Sequence, residues 1–197
     1  MAAALPGALG FIPGPVTALD FMAELTKIDA ARRQTNAAIR MFFEGEDPIA
    51  VHTVAAAGHR IVRDLARQNG SEILSSFEQT LLPGVKGKFW AAFNGSTNFL
   101  KHADLDAGAQ QDNVVYEASN PILILVTICF FGELGLTHST EMAALSVWCR
   151  LHYSQFFGPD LDQEKISEAL TPMRGLSRKE SKIFFRDLVR QQARVEW

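Results

Sequence analysis

Five side chains in this sequence carry the chemistry of a metal site: His52, His59, His102, Asp104 and Asp106. Neutral imidazole combined with carboxylate suits zinc, manganese or iron, and each ligating imidazole needs an acceptor behind its other ring nitrogen. His52 and His59 are seven residues apart, so on a helix they lie one above the other. Ala55 and Ala56 between them leave space on that face. The segment NFLKHADLD, residues 98–106, puts one histidine and two carboxylates at the end of a predicted helix. Two readings follow: a divalent-metal enzyme, in particular a hydrolase, or satisfied histidines on a helix flank beside a solvated acidic loop. The spacing is unlike the standard metalloprotease patterns, since neither His-x-x-x-His nor His-Glu-x-x-His occurs. A calcium loop fits poorly. Asp104, Asp106 and Asp112 alternate correctly, but Gly108 falls one residue early and Val115 stands where the bidentate acid belongs.

Other catalytic signatures are missing. There is no Gly-x-Ser-x-Gly, no Walker-type phosphate loop and no Gly-x-Gly-x-x-Gly. Glu44, Glu46 and Asp47 cluster between two predicted helices, where acids complement a helix N-terminus.

The elements that must position these groups read as helices. Ala23 to Glu44 contains neither proline nor glycine, and Leu25, Ile28, Ile39, Phe42 and Phe43 fall roughly on one face. Asp47-Pro48 supplies an N-cap and a first-turn proline for a second helix, which runs to about Asn69 and stops at Gly70. The short link predicts an antiparallel hairpin. A short helix from Ser71 to about Leu82 and another from Val85 to Ala103, interrupted by Gly95, follow. Residues 104–120 read as a polar loop with a short extended piece at Val114 to Tyr116. Asn120-Pro121 then repeats the cap-and-proline signal and opens a buried helix to Glu133. A further helix spans Ser139 to Phe156, closed by Gly158-Pro159.

Composition supports one folded, helical body: 197 residues, 47% hydrophobic and 21% charged, with 14 phenylalanines. Two cysteines exclude a disulfide framework. Cys129 and Cys149 both fall in apolar stretches and are expected to be small buried hydrophobes. Residues 1–21 have no basic residue and are broken by Pro6, Gly7, Gly10, Pro13, Gly14 and Pro15, unlike a secretory signal. They read as a flexible leader, with Met22 an alternative start to Met1. The apolar run Pro121 to Phe131 is too short to span a bilayer, so no transmembrane segment and a cytoplasmic location are expected.

The overall charge of −3 argues against a uniformly basic nucleic-acid binder. The sign reverses at the end, however. Residues 174–197 hold seven basic against three acidic residues, leaving −7 for the remainder. Ser177 and Glu180 form a capping-box pattern, and Arg178, Lys182, Arg186, Arg190 and Arg194 recur every four residues. This basic stripe docks on the acidic body of its own chain or of a partner subunit, binds phosphates on RNA or DNA or an anionic membrane surface, or is simply a solvated helix face. Ile183, Phe184, Leu188 and Val189 are read as the apolar side of that helix.

The stretch IDAARRQTNAAIRMFFEGEDPIAVHTVAAAGHRIVRDL, together with NFLKHADLD, resembles a family of small uncharacterised bacterial proteins that carry an FFKHAD-like segment. The resemblance covers Ile28 to Asp106, places His52, His59, His102 and Asp104 at matching positions, and implies no established activity. A second, weaker similarity is to HEPN domains, helical bundles that dimerise and include ribonucleases. That similarity implies the fold more than the activity, because the ribonuclease pattern needs an Arg separated from a His by four to six intervening residues. Ahead of His102 those positions hold Thr97, Ser96 and Gly95.

The sequence therefore predicts an all-α bundle of about six helices, divided into a leader at 1–21, a bundle at 22–160 and an appendage with a basic helix at 161–197. The functional expectation is a binding or regulatory module, a homodimer in keeping with its small-residue helix contacts, with a protein or RNA partner and no cofactor. A metal-dependent enzyme and a degenerate HEPN-like ribonuclease are the alternatives.

Overall fold

Capping side chains define where the helices of this chain begin. In the computed structural model, which describes residues 24–72, 95–100, 107–153, 170–173 and 175–193, α1 spans Lys27–Glu44 and α2 spans Pro48–Gln68. The Thr26 hydroxyl accepts from the Asp29 N–H at 3.0 Å, while the Asp29 carboxylate accepts from the Thr26 N–H. This reciprocal box starts α1 four residues later than the apolar periodicity suggests. Leu25 consequently lies outside the helix and is exposed, not part of the apolar face. Gly45 closes α1 in the left-handed region at φ +76°, and Asp47 caps α2 by accepting from the N–H groups of Ile49 and Ala50.

The two helices pack as an antiparallel hairpin. Ala31, Thr35, Ala38 and Ile39 of α1 are buried against a face of α2 that includes Val51, Ala55, Gly58 and Val62. Gly58 permits their closest approach: a Cβ there would lie 2.9 Å from the Thr35 hydroxyl and 3.2 Å from the Ala31 carbonyl oxygen.

The central element, α3, spans Val114–Glu133 and corrects two expectations. Residues 114–120 are helical rather than a loop with an extended piece, and Pro121 lies inside the helix instead of opening it. The Asn120 side chain is turned toward α2, where it bonds His52 and the Pro48 carbonyl, so it is not free to cap. Proline there leaves the Glu117 carbonyl without its usual donor, on the exposed side of the helix. With twenty residues, α3 is long and apolar enough to cross a membrane, which removes the argument from an eleven-residue run. Its apolar side chains Ile122, Leu123, Ile124, Ile128, Phe130 and Phe131 are buried within the bundle, where α3 contacts α1, α2 and α4. Cys129 is the other correction, since it is exposed; Cys149 is buried as expected.

Helix α4, Thr140–His152, is capped by Ser139, whose hydroxyl accepts from the Met142 N–H and donates to Asn36 of α1. A short 3-10 turn at Thr171–Met173 precedes α5, Arg178–Ala193. The predicted Ser177–Glu180 box is formed at the start of α5. Its buried row is Ser181, Phe185 and Val189, whereas Ile183 and Phe184 are exposed. Of the expected apolar side, Val189 is buried and Leu188 packs against the core, while Phe185 is buried in place of Ile183 and Phe184. Phe185 stacks on Phe43 at 5.8 Å, and Trp148 of α4 donates to the Ser181 hydroxyl.

The fold is all-α: five α-helices and one 3-10 turn, with no strand, among the described residues. The expected helices at 71–82 and 85–103 fall mostly outside those residues, although 95–99 are helical.

Candidate functional site

His52 and His59 are in the core, 1% and 5% exposed. Asn120 donates through Nδ2 to the Pro48 carbonyl at 2.8 Å, which leaves Oδ1 as the acceptor facing His52 Nδ1 at 2.9 Å. The proton of His52 therefore sits on Nδ1, and Nε2 accepts from the Thr97 hydroxyl at 3.0 Å. One heptad further, Thr127 donates to the Leu123 carbonyl at 2.7 Å and accepts from His59 Nδ1 at 3.0 Å. The edges of both rings meet aromatic rings, Tyr116 for His52 and Phe130 for His59. Burial lowers the His59 pKa to about 3, with the Arg63 charge adding to the effect, so this imidazole is neutral throughout the ordinary pH range.

His102, Asp104 and Asp106 lie outside the described residues. Among the described residues, no three His, Cys, Asp or Glu side chains gather as metal ligands. Reading the sequence for histidines and carboxylates overlooked Thr97, Asn120 and Thr127, which bond the imidazoles. A signal was present. Asn120 and Thr127 are polar, lie seven residues apart in an apolar segment, and repeat the spacing of His52 and His59.

The basic stripe is divided by the bundle. Lys182, Arg186 and Arg190 each follow a member of the buried row 181–185–189 by one position, about 100° round the helix; Lys182 and Arg186 are part-buried, while Arg178 and Arg190 are exposed. Arg190 pairs with Glu44 of α1, its Nε donating at 2.6 Å, and Arg186 pairs with its neighbour Asp187. Arg194 lies outside the described residues.

Arg178 and Lys182 have different surroundings. The Arg178 guanidinium sits over the Tyr153 ring at 4.7 Å, and the Lys182 ammonium over the Phe42 ring at 3.9 Å. Among the described residues, neither has a carboxylate within ion-pair distance. Both line an open cleft of about 690 Å³ between α5 and the junction of α1, α2, α3 and α4. Beneath it lie the core rings Phe42, Trp148 and Tyr153, 6%, 1% and 9% exposed, with Val51 and Asn120 contributed by α2 and α3. Lys179 joins the two cations, and Glu46 and Glu117 come from the α1–α2 turn and α3. Burial lowers the pKa of Lys182, partly offset by Glu117 and reinforced by Arg178.

A concave, mainly apolar space with a few charged groups has the composition of a small-ligand site. Nothing in the sequence marked it, because its walls come from five helices distant along the chain. No family model, curated protein or solved structure matches the chain.

Proposed function

We propose that this protein is a binding or regulatory module without a reaction of its own, acting on an anionic partner, protein or nucleic acid, through α5. The observation that carries this reading is the placement of Arg178 and Lys182. Both cations stand at a cleft, held over aromatic rings and without a carboxylate partner among the described residues. Cation–π contacts hold such groups in place without neutralising their charge. The buried histidines support the same reading, since both imidazoles are engaged in joining α2 to α3.

The test uses the full chain with a fluorescein-labelled single-stranded RNA and a labelled poly-glutamate peptide, followed by fluorescence anisotropy across a salt series. Saturable binding to either probe, weakened at least tenfold in Arg178→Ala/Lys182→Ala, supports the reading. Binding unchanged by the substitutions, or absent at low salt, overturns it. Elemental mass spectrometry tests the rival. Near-stoichiometric zinc, manganese or iron, lost in His102→Ala and accompanied by hydrolytic activity, would establish a metal enzyme. Cleavage of RNA in chelator, abolished by the same substitution, would establish the HEPN-like ribonuclease.

A further inference from the structure

We infer that the cleft between α5 and the bundle is the docking site for a short segment of a partner protein that carries charges of both signs, an acidic side chain toward α5 and a basic one toward α3. The inference rests on the reading of Arg178 and Lys182 as anion-recognising groups, and it names the kind of partner they serve.

Charge decides the chemistry of the occupant. Arg178, Lys179 and Lys182 stand on the α5 side of the cleft, and Glu46 and Glu117 stand on the side of the α1–α2 turn and α3. Opposite charges thus line one space, yet no ion pair joins the two groups among the described residues. Glu117 favours the charged form of Lys182 from beyond ion-pair distance. A chain of one sign, such as a nucleic acid or a run of glutamates, is attracted by one wall and repelled by the other. A segment with an acid and a base on opposite sides pairs with both.

Access decides where that segment sits. The rings Phe42, Trp148 and Tyr153 are core side chains, and the faces of Phe42 and Tyr153 already carry Lys182 and Arg178. They hold the cations in place and leave the contact with a partner to the rim. There Glu46, Glu117, Arg178 and Lys179 are exposed, and Lys182 is part-buried. A cation held over a ring keeps its charge, and its remaining N–H groups still donate to a carboxylate. Val114, 64% exposed, and Ala118 share a face of α3 with Glu117, so the acidic wall also offers aliphatic surface. An aliphatic residue beside the base of the segment covers it. The space of about 690 Å³ is within the range that encloses a drug-sized molecule, which is a few residues of peptide and not a folded surface.

The experiment selects a phage-displayed library of random dodecapeptides on the immobilised full chain, then measures the most enriched peptide, fluorescein-labelled, by anisotropy. The expected peptides share an acidic and a basic residue at a common spacing. Replacing either residue with alanine should weaken binding at least tenfold, and so should Arg178→Ala/Lys182→Ala in the protein. Glu46→Lys/Glu117→Lys alters only exposed side chains and should weaken the same peptide by as much. Exchanging the base of the peptide for glutamate should then restore at least tenfold toward this variant. No enriched sequence, enriched peptides of one sign only, binding that ignores either pair of substitutions, or a failed restoration overturns the inference. The outcomes separate it from the broader reading. RNA or poly-glutamate binding that depends on Arg178 and Lys182, with no mixed-charge peptide, removes the docked segment and leaves the anionic partner. Mixed-charge peptides that bind while neither polymer does keep the docked segment and remove the polyanion.

Discussion

His52 Nδ1 donates to Asn120 Oδ1 at 2.9 Å across the α2–α3 interface, and the relationship repeats one heptad later between His59 and Thr127 at 3.0 Å. Both pairs join residues 68 apart in sequence. The two helices therefore run parallel, with two polar rungs set in an apolar seam. A shift by one residue would separate both imidazoles from their acceptors. Each unmade bond in the core would then cost more than the formed bond contributes. The rungs thus specify register, a use for buried polar groups familiar from coiled coils.

The first prediction isolates that rung. His52→Leu strands the carbonyl oxygen of Asn120 and the Thr97 hydroxyl, and should destabilise the protein by about 3 kcal/mol. His52→Leu/Asn120→Leu should cost less than the sum of the two single substitutions, with a coupling on the order of 1–2 kcal/mol. Urea unfolding of the four proteins measures this. Strict additivity would show that the bond makes no net contribution.

His59 gives stability a defined pH dependence. Its folded pKa is about 3, below the ordinary 6.5, so below pH 6.5 the unfolded chain binds the proton first. Stability is therefore complete above pH 6.5 and declines as pH falls toward 3. At pH 5 the loss from this group is about 2 kcal/mol. His152, also lowered by burial and by Arg178, acts in the same direction. Urea midpoints between pH 7.5 and 4.5 check the slope, and His59→Gln should flatten it.

How much of this was legible in the sequence follows from the range of each interaction. The start of α2 was readable because Asp47 and Pro48 act on their own neighbours, and so was the Ser177–Glu180 box. The start of α3 was misread because Asn120-Pro121 has the local form of a cap, while the bonds that engage Asn120 come from α2 across the bundle. The same limit applies to α5. A four-residue period identified its basic stripe, but only Phe43 and Trp148 determine which row turns inward and leave Phe184 outside. The histidine pair was recognised as a shared helix face and not as a register device, because its partners are hydroxyl and amide groups without any metal-site signature.

The cysteines should differ in reactivity. Burial pushes the Cys149 thiol up to about 12, with the neighbouring Cys129 adding to the effect. At pH 8 it holds almost no thiolate and is closed to reagent. Cys129 is exposed, but packing around its sulfur raises its pKa too. Iodoacetamide at pH 8 should label Cys129 more slowly than a free thiol and leave Cys149 unmodified until denaturant is added. Peptide mass spectrometry reads both sites. Early labelling of Cys149 would mean that the α3–α4 contact opens readily.

Gly58 tests the α1–α2 contact where the helices are closest. A methyl group in Gly58→Ala would meet the Thr35 hydroxyl at 2.9 Å, and that hydroxyl is itself held against the Ala31 carbonyl at 2.8 Å. Alanine favours a helix over glycine by about 1 kcal/mol, which opposes the clash. The backbone carbonyl of Ala31, 3.2 Å from the added carbon, cannot rotate away, so helix separation is the remaining response. The steric effect should win, for a net destabilisation of about 1–2 kcal/mol. Adding Thr35→Ala removes the nearer obstacle and should recover part of the loss. A Gly58→Ala protein as stable as the parent by urea unfolding would show that the two helices are not held at this distance.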